Sequence, residues 1–464
     1  MIKPMDITFH GAAREVTGSC HLVRVGDSRV ALDFGLFQGH RSAAREKNSV
    51  LPFDVKALTA VVLSHAHIDH SGRLPLLARL GYQGPIYATP ATHDLCAIML
   101  ADSAHIQAAD AEYLTRHGRS VAPPLYDVRD VTAAMSRMIC IPYDVPFDVA
   151  PGVRATFVEA GHILGSASVV LDCTEGPVRR RLVFSGDIGR TGLPIIRDPQ
   201  PPKGADVVIM ESTYGNRDHT PVDQMPARLA QIIRQTAAKG GRVLIPAFAV
   251  GRTQELLYDL HRLTLANQIP PIPIVLDSPL AIAATTVFAT NPEAFDRTEA
   301  LIAAGGELFD FAHLEFSRDA ATSKALNTRL GPLIIIAASG MAEAGRILHH
   351  LAHGAPDPKN TILIVGFQAE NTLGRRIVDR QRTLKIYGED VPLRAQVEVL
   401  NGYSAHADRS ELRRWIHAVR GESPRALSVH LVHGEPDAQD TFAGVLRGDG
   451  FVVTTPERGT TLSL

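Results

Sequence analysis

Within the six residues His65-Ala66-His67-Ile68-Asp69-His70 the chain carries three imidazoles and one carboxylate. Imidazole nitrogen mixed with carboxylate oxygen suits zinc, and the way the run divides points to two metals rather than one. His65 and His67 lie two apart and, if extended, lean to one side together. Asp69 and His70 follow on the turn and face a second point. Packing so many ligand-type side chains together is costly without a cation to hold them. Three later segments offer partners. Gly161-His162-Ile163-Leu164-Gly165-Ser166 has glycines that permit close backbone approach. Ser185-Gly186-Asp187 puts a carboxylate where it could bridge two cations. Val429-His430-Leu431-Val432-His433-Gly434-Glu435 brings His433 to a strand tip. The expected assignment gives one zinc His65, His67 and His162, the other Asp69, His70 and His433, and makes Asp187 the bridge. Two such cations, held about 3.5–4 Å apart, clamp a phosphoryl group and acidify water. Asp33 is expected to orient a ligand imidazole from behind.

Two further residues read as catalytic without being ligands, alongside Asp69, which belongs to both sets. Glu211 ends the apolar run 205–211, and His406 lies in Gly402-Tyr403-Ser404-Ala405-His406-Ala407-Asp408. A carboxylate beside an imidazole raises its pKa and fixes its tautomer, which makes an acid for a leaving oxygen. The competing reading makes Asp408 a helix N-cap and His406 a structural neighbour.

These groups need strand ends to position them. Ala60-Val61-Val62-Leu63 reads as a buried strand directly before the histidine run, and open α/β layers bind ligands at such ends. Residues 7–10, 29–33, 155–159, 181–184 and 205–211 also read as strands. Residues 94–116 read as a helix with Leu95, Ile98, Met99 and Ile106 on one face. From about residue 216 the rhythm changes. The apolar runs 243–246, 273–277, 333–336 and 361–365 each precede a helical pattern, which signals a parallel sheet covered on both faces. The alternating run 395–400 looks like a return to the first domain. An α/β fold results, with one domain inserted in another: residues 1–215 and 395–464 form the outer domain and 216–394 the insert.

Composition narrows the function classes. With 464 residues, two or three domains are expected. The hydrophobic share of 45% and charged share of 21% argue against disorder. A formal charge of −2 gives no global field to attract a polyanion, so any nucleic acid must be met by a local patch. The start shows no signal peptide, and no apolar run reaches the ~18 residues of a membrane span, so a cytoplasmic location is expected. Cys20, Cys96, Cys140 and Cys173 are scattered and are expected to be buried thiols. On the helix 347–351, one of His349 and His350 is expected to face the core, and His430 is expected to pack on the face opposite His433.

Taken together, these motifs resemble the metallo-β-lactamase fold with a β-CASP domain, and within it the RNA-processing branch that includes the pre-mRNA 3′-end cleavage subunit. Asp33, the His65–His70 run, His162 and Asp187 match the fold's first four motifs. Glu211 matches β-CASP motif A, His406 motif B and His433 motif C. The resemblance implies an αββα sandwich with an inserted β-CASP domain, two zinc ions per chain and single-stranded RNA as substrate. A motif C histidine marks the RNA-directed members. By the same resemblance, Ser339 and Gly340 in Ala338-Ser339-Gly340-Met341, and Gln368, Thr372 and Arg375 in residues 366–375, would face the substrate cleft. Neither the further C-terminal domain of the RNase J type nor an N-terminal RNA-binding module is visible. A homo-oligomeric state is left open. A small-molecule hydrolase, such as a thioesterase or lactonase, would share HxHxDH. The discriminator is the gap of 246 positions from Asp187 to His433, room for a whole domain that a small substrate does not need. A non-catalytic scaffold is the third reading, and the filled ligand positions speak against it.

Overall fold

In the computed structural model, the described residues are 5–39, 41–51, 53–116, 123–295, 308–366, 368, 372–422 and 427–464. Phe367 and residues 369–371 of the second insert motif lie outside them. The chain forms two compact units. One comprises 1–191, 198–218 and 406–464; the other comprises 192–197 and 219–405.

Two seven-stranded sheets make up the first unit. The first runs, in spatial order, through Thr461–Ser463, Met5–Gly11, Cys20–Val25, Ser28–Leu32, Ala60–Val62, Ile86–Ala88 and Met138–Cys140. The second runs through Val452–Thr454, Ser428–Val432, Val207–Glu211, Val178–Phe184, Ala167–Glu175, Val153–Glu159 and Phe147–Ala150. Alternation decides which side chains meet. Phe9, Val23, Val30 and Val62 of the first sheet share one buried core with Phe157, Val169, Leu182 and Ile209 of the second. The intervening residues Val183, Val208, Met210 and Leu431 turn the other way. They pack under Leu412, Trp415, Ile416 and Phe442 of helices Arg409–Arg420 and Pro436–Gly448. Ala31 and Val61, pointing away from the shared core, are fully buried too, so the first sheet is covered on its outer face. The result is the αββα layering that the resemblance implies.

The second unit is built on a wholly parallel sheet in the order Leu314–Phe316, Ile274–Leu276, Ile334–Ala337, Val243–Pro246, Thr361–Ile364, Gln396–Val399. Its central strands are buried along their whole length, which is why they read as unbroken apolar runs. One difference from the sequence reading concerns the boundary. The strand Gln396–Val399 pairs with Thr361–Ile364 and so belongs to the insert's sheet, and the first unit resumes at His406. It alternates because it is an edge strand with one solvated face.

Two smaller expectations also change. Ile106 is 52% exposed on the helix Pro90–Arg116, so the apolar stripe does not extend along that end. Cys140 is exposed, because its strand is a sheet edge; the other three cysteines are buried. Among the described residues no helix is long and apolar enough to cross a membrane.

Candidate metal centre

Six strands of the first unit end at one place. Asp33 follows Ser28–Leu32, the His65–His70 run follows Ala60–Val62, and His162 follows Val153–Glu159. Asp187 follows Val178–Phe184, Glu211 closes Val207–Glu211, and His433 follows Ser428–Val432. Two glycines let the loops interlock. A Cβ on Gly35 would lie 1.6 Å from the Asp69 carbonyl oxygen, and one on Gly189 would lie 1.6 Å from that of Gly161. The loop bearing Asp69 and the pair bearing His162 and Asp187 therefore pack backbone to backbone.

Hydrogen bonds then fix which nitrogen each imidazole presents. The fully buried Asp33 carboxylate accepts from the Ser64 amide (2.8 Å) and the Ser19 and Ser64 hydroxyls (3.0 Å each). It also lies 2.7 Å from His70 Nδ1. A carboxylate only accepts, so Nδ1 of His70 carries the proton and Nε2 faces the site. Ser64, having given its proton to Asp33, must accept from His65 Nδ1 at 3.0 Å, which likewise leaves His65 Nε2 inward. At the far side the Thr213 hydroxyl donates to the His433 carbonyl (3.2 Å) and lies 3.1 Å from His433 Nδ1. By the same reasoning, it accepts there and turns His433 Nε2 inward.

The inward atoms form two groups. His67 Nδ1 lies 3.2 Å from His65 Nε2 and 3.1 Å from His162 Nε2. His433 Nε2 lies 3.2 Å from His70 Nε2 and 3.4 Å from Asp69 Oδ2. Asp187 sits against both: Oδ2 is 3.5 Å from His65 and His162 Nε2 and 3.4 Å from His70 Nε2, while Oδ1 is 3.4 Å from His433 Nδ1. Donor atoms of His65, His67, His162 and Asp187 all lie within 4.8 Å of one another, as do those of Asp69, His70 and His433. A third such group takes Asp187 from the first and His433 from the second and adds Glu211.

The electrostatics fit a cation in each group. Burial, followed by its imidazole neighbours, keeps His65 well below its ordinary pKa, and burial brings His67 to about 4, so both are neutral donors. Burial would also lower His70, but Asp187 and Asp33 outweigh it and raise His70 well above its ordinary value. Burial opposes ionisation of Asp187, yet His433, His70 and His65 hold it well below the usual carboxylate range. His67 Nδ1 and the Nε2 atoms of His65 and His162 converge, and Asp187 Oδ1 is buried without a hydrogen bond. Imidazole nitrogens gathered around a shared carboxylate suit a divalent metal.

His406 takes a different place. Its Nδ1 lies 3.2 Å from both Glu211 oxygens, and its ring packs on His162 with centroids 4.5 Å apart. Glu211 is fully buried and also accepts from the Ile188 amide (2.6 Å) and the Thr213 amide (3.3 Å). Burial would lower the His406 pKa, but Glu211 and then Asp187 outweigh it and raise it. The His406 side chain is 19% exposed and that of Asp69 22%, so solvent reaches the site at these two. Asp408 does cap helix Arg409–Arg420, in a reciprocal box with Glu411.

In the insert, Ser339 accepts from the Glu343 and Ala344 amides at 3.1 and 3.2 Å. Gln368 is buried and donates to the Gly340 carbonyl at 3.0 Å. Thr372 caps helix Leu373–Val378, and Arg375 pairs with Asp379 at 3.0 Å. His350 is buried on Asp277 at 2.6 Å, while His430 packs on Phe9 and lies 2.7 Å from Thr454 Oγ1. Sequence reading missed Ser19, Ser64 and Thr213. Ser64 adjoins His65 and Thr213 follows Glu211 by two, but a hydroxyl's partner is set by the fold.

Comparison with known proteins adds three matched segments. Residues 13–219 match the metallo-beta-lactamase superfamily, 253–377 the Beta-Casp domain, and 390–456 the Zn-dependent metallo-hydrolase RNA specificity domain. The chain is 41% identical over 434 residues to Ribonuclease TTHA0252 of Thermus thermophilus, covering 93% of this chain and 94% of that one. To Transcription termination factor FttA of Pyrococcus abyssi it is 34% identical over 484 residues, covering 99% and 71%. The FttA of Methanocaldococcus jannaschii is 32% identical over 459 residues, covering 95% and 68%. A crystal structure of a protein of unknown function from Enterococcus faecalis V583 covers both chains fully at TM-score 0.54 and 14% identity, a likeness of fold alone.

Proposed function

The chain belongs to the metallo-beta-lactamase superfamily of metal-dependent hydrolases, in its β-CASP branch, and from that premise we propose that it hydrolyses phosphodiester bonds of single-stranded RNA. One observation carries the reading. His433 and His406 both lie in the segment that matches an RNA specificity domain, and there His433 Nε2 meets His70 and Asp69 while His406 meets Glu211. The segment thus supplies one side chain to a metal group and the other to a proton-handling pair.

In this reading His65, His67 and His162 would hold one zinc, Asp69, His70 and His433 would hold a second, and Asp187 would be shared between them. Cations there supply Lewis-acid polarisation of a phosphoryl oxygen and acidify water. The protein's own groups do the rest. Asp33 and Ser64 fix the tautomers of His70 and His65, and Thr213 fixes that of His433. His406, its proton retained by Glu211, lies on the solvent-reached side and protonates the departing ribose oxygen from Nε2. Glu211 has two backbone N–H partners, so it keeps its position as the proton leaves.

The test compares hydrolysis of a single-stranded RNA, the matched DNA and a thioester such as S-lactoylglutathione. RNA should be cleaved far faster than either, with binding that weakens as salt rises. Equal rates on RNA and thioester would defeat the reading.

A further inference from the structure

Three loops of the insert meet around one aromatic ring. They follow the adjacent strands Val243–Pro246, Ile334–Ala337 and Thr361–Ile364, at the carboxyl ends where open parallel sheets bind ligands. Phe248, two residues past the first strand, is 36% exposed although it stands among buried neighbours. Its ring lies on Gly340: a Cβ there would sit 2.6–2.9 Å from three ring atoms, so any side chain at 340 would lift the ring. Buried Gln368 donates to the Gly340 carbonyl and holds this floor in place. The Arg252 guanidinium lies 5.5 Å from the ring centroid and adds a second support. Described polar residues of the same loops serve to build them: Ser339 closes its own turn, Thr372 caps a helix and Arg375 pairs with Asp379. Among the described residues of these loops, Phe248 is the large apolar side chain left to solvent.

We propose that Phe248 is a stacking platform for one nucleobase of the RNA, a subsite that rests on the ribonuclease reading and is built wholly by residues 219–405. Every base has a π-face, so the subsite tolerates any base and favours the larger purines. Stacking releases no counterions, so its share of binding does not fade with salt as phosphate contacts do.

The experiment measures KM and kcat for the zinc-loaded protein on short single-stranded oligoribonucleotides, each with one abasic ribose at successive positions. Wild type should lose about 5- to 150-fold in KM at one position, the worth of one base–aromatic stack. Phe248→Ala should show that loss already on intact RNA, at low and moderate salt alike, and lose nothing more at that position. Phe248→Tyr should keep the wild-type profile. Phe248→Leu, which retains a bulky apolar contact with Gly340 but no π-face, should behave like the alanine variant. An unchanged abasic profile in Phe248→Ala, or a wild-type profile in Phe248→Leu, overturns the stacking site while RNA cleavage stands. Failure of the wild type to cleave any RNA overturns the ribonuclease reading, and the subsite with it.

Discussion

Replacing His406 by alanine separates proton transfer from metal binding. The side chain meets Glu211 at 3.2 Å, and its Nδ1 lies 3.9 Å from Asp187 Oδ2. His406 belongs to none of the donor groups, so the variant should keep its full metal content. Glu211 keeps the Ile188 and Thr213 amides, which satisfy the buried carboxylate and preserve the local fold. Only the acid for the leaving oxygen is lost, and general acid catalysis is worth about 10²–10⁴-fold. Single-turnover cleavage of end-labelled RNA should slow by that factor with RNA affinity nearly unchanged. An RNA whose departing oxygen is replaced by sulfur needs no acid, and on it the variant should approach wild type. Glu211→Gln should cost less. Glu211 raises the His406 pKa against the lowering effect of burial. Without that negative charge the imidazolium releases its proton at lower pH, and the alkaline limb of the rate profile should move down. Loss of metal from His406→Ala, or an equal deficit on the sulfur substrate, would refute the assignment.

Two residues behind the metal centre and one buried cluster of the insert give further tests. Thr213→Val removes the acceptor for His433 Nδ1 and should weaken one metal about 10- to 100-fold in competition with a chromophoric chelator, while Thr213→Ser retains it. Gly35→Ala cannot be accommodated without moving the Asp69 backbone and should lower metal content along with activity, as elemental analysis would show. Asp277 is fully buried and binds His350 at 2.6 Å and Arg346 at 2.7 Å, so Asp277→Asn should cost about 3–5 kcal/mol in denaturant melts. Burial would raise the Asp277 pKa, but His350, Ser323, Ser317 and Arg346 together hold it below the ordinary value. Its contribution is therefore complete above the unfolded pKa of about 3.9 and is lost as pH falls through the depressed one. Wild type and Asp277→Asn should converge in stability only in strong acid.

Residue types announced the centre because ligands are chemically distinctive and their strands are apolar runs bounded by turns. Ala60–Val62 and Val207–Glu211 could be placed this way, along with the side chains they project. Supporting hydroxyls were not legible: Ser64 and Thr213 have residue types that equally suit a cap or a turn, and only the fold brings them to an imidazole. The strand Gln396–Val399 misled for a physical reason. An edge strand of a parallel sheet alternates like one from an antiparallel sheet, so its pattern did not reveal its partner. In the insert, the turn that Ser339 closes and the helix that Thr372 caps were not legible from residue type, and Phe248 read as a lone apolar residue.

The central claim, that two side-chain groups around Asp187 hold two cations and thereby make the chain an RNA hydrolase, is tested most directly by zinc titration. Chelator-stripped protein would receive zinc in sub-stoichiometric steps while single-turnover cleavage of a single-stranded RNA is followed. The account predicts activity that rises to a plateau at about two zinc ions per chain, as a two-metal phosphoryl-transfer site requires. Full RNA cleavage by the metal-free protein, or a plateau at one zinc or fewer, would contradict it.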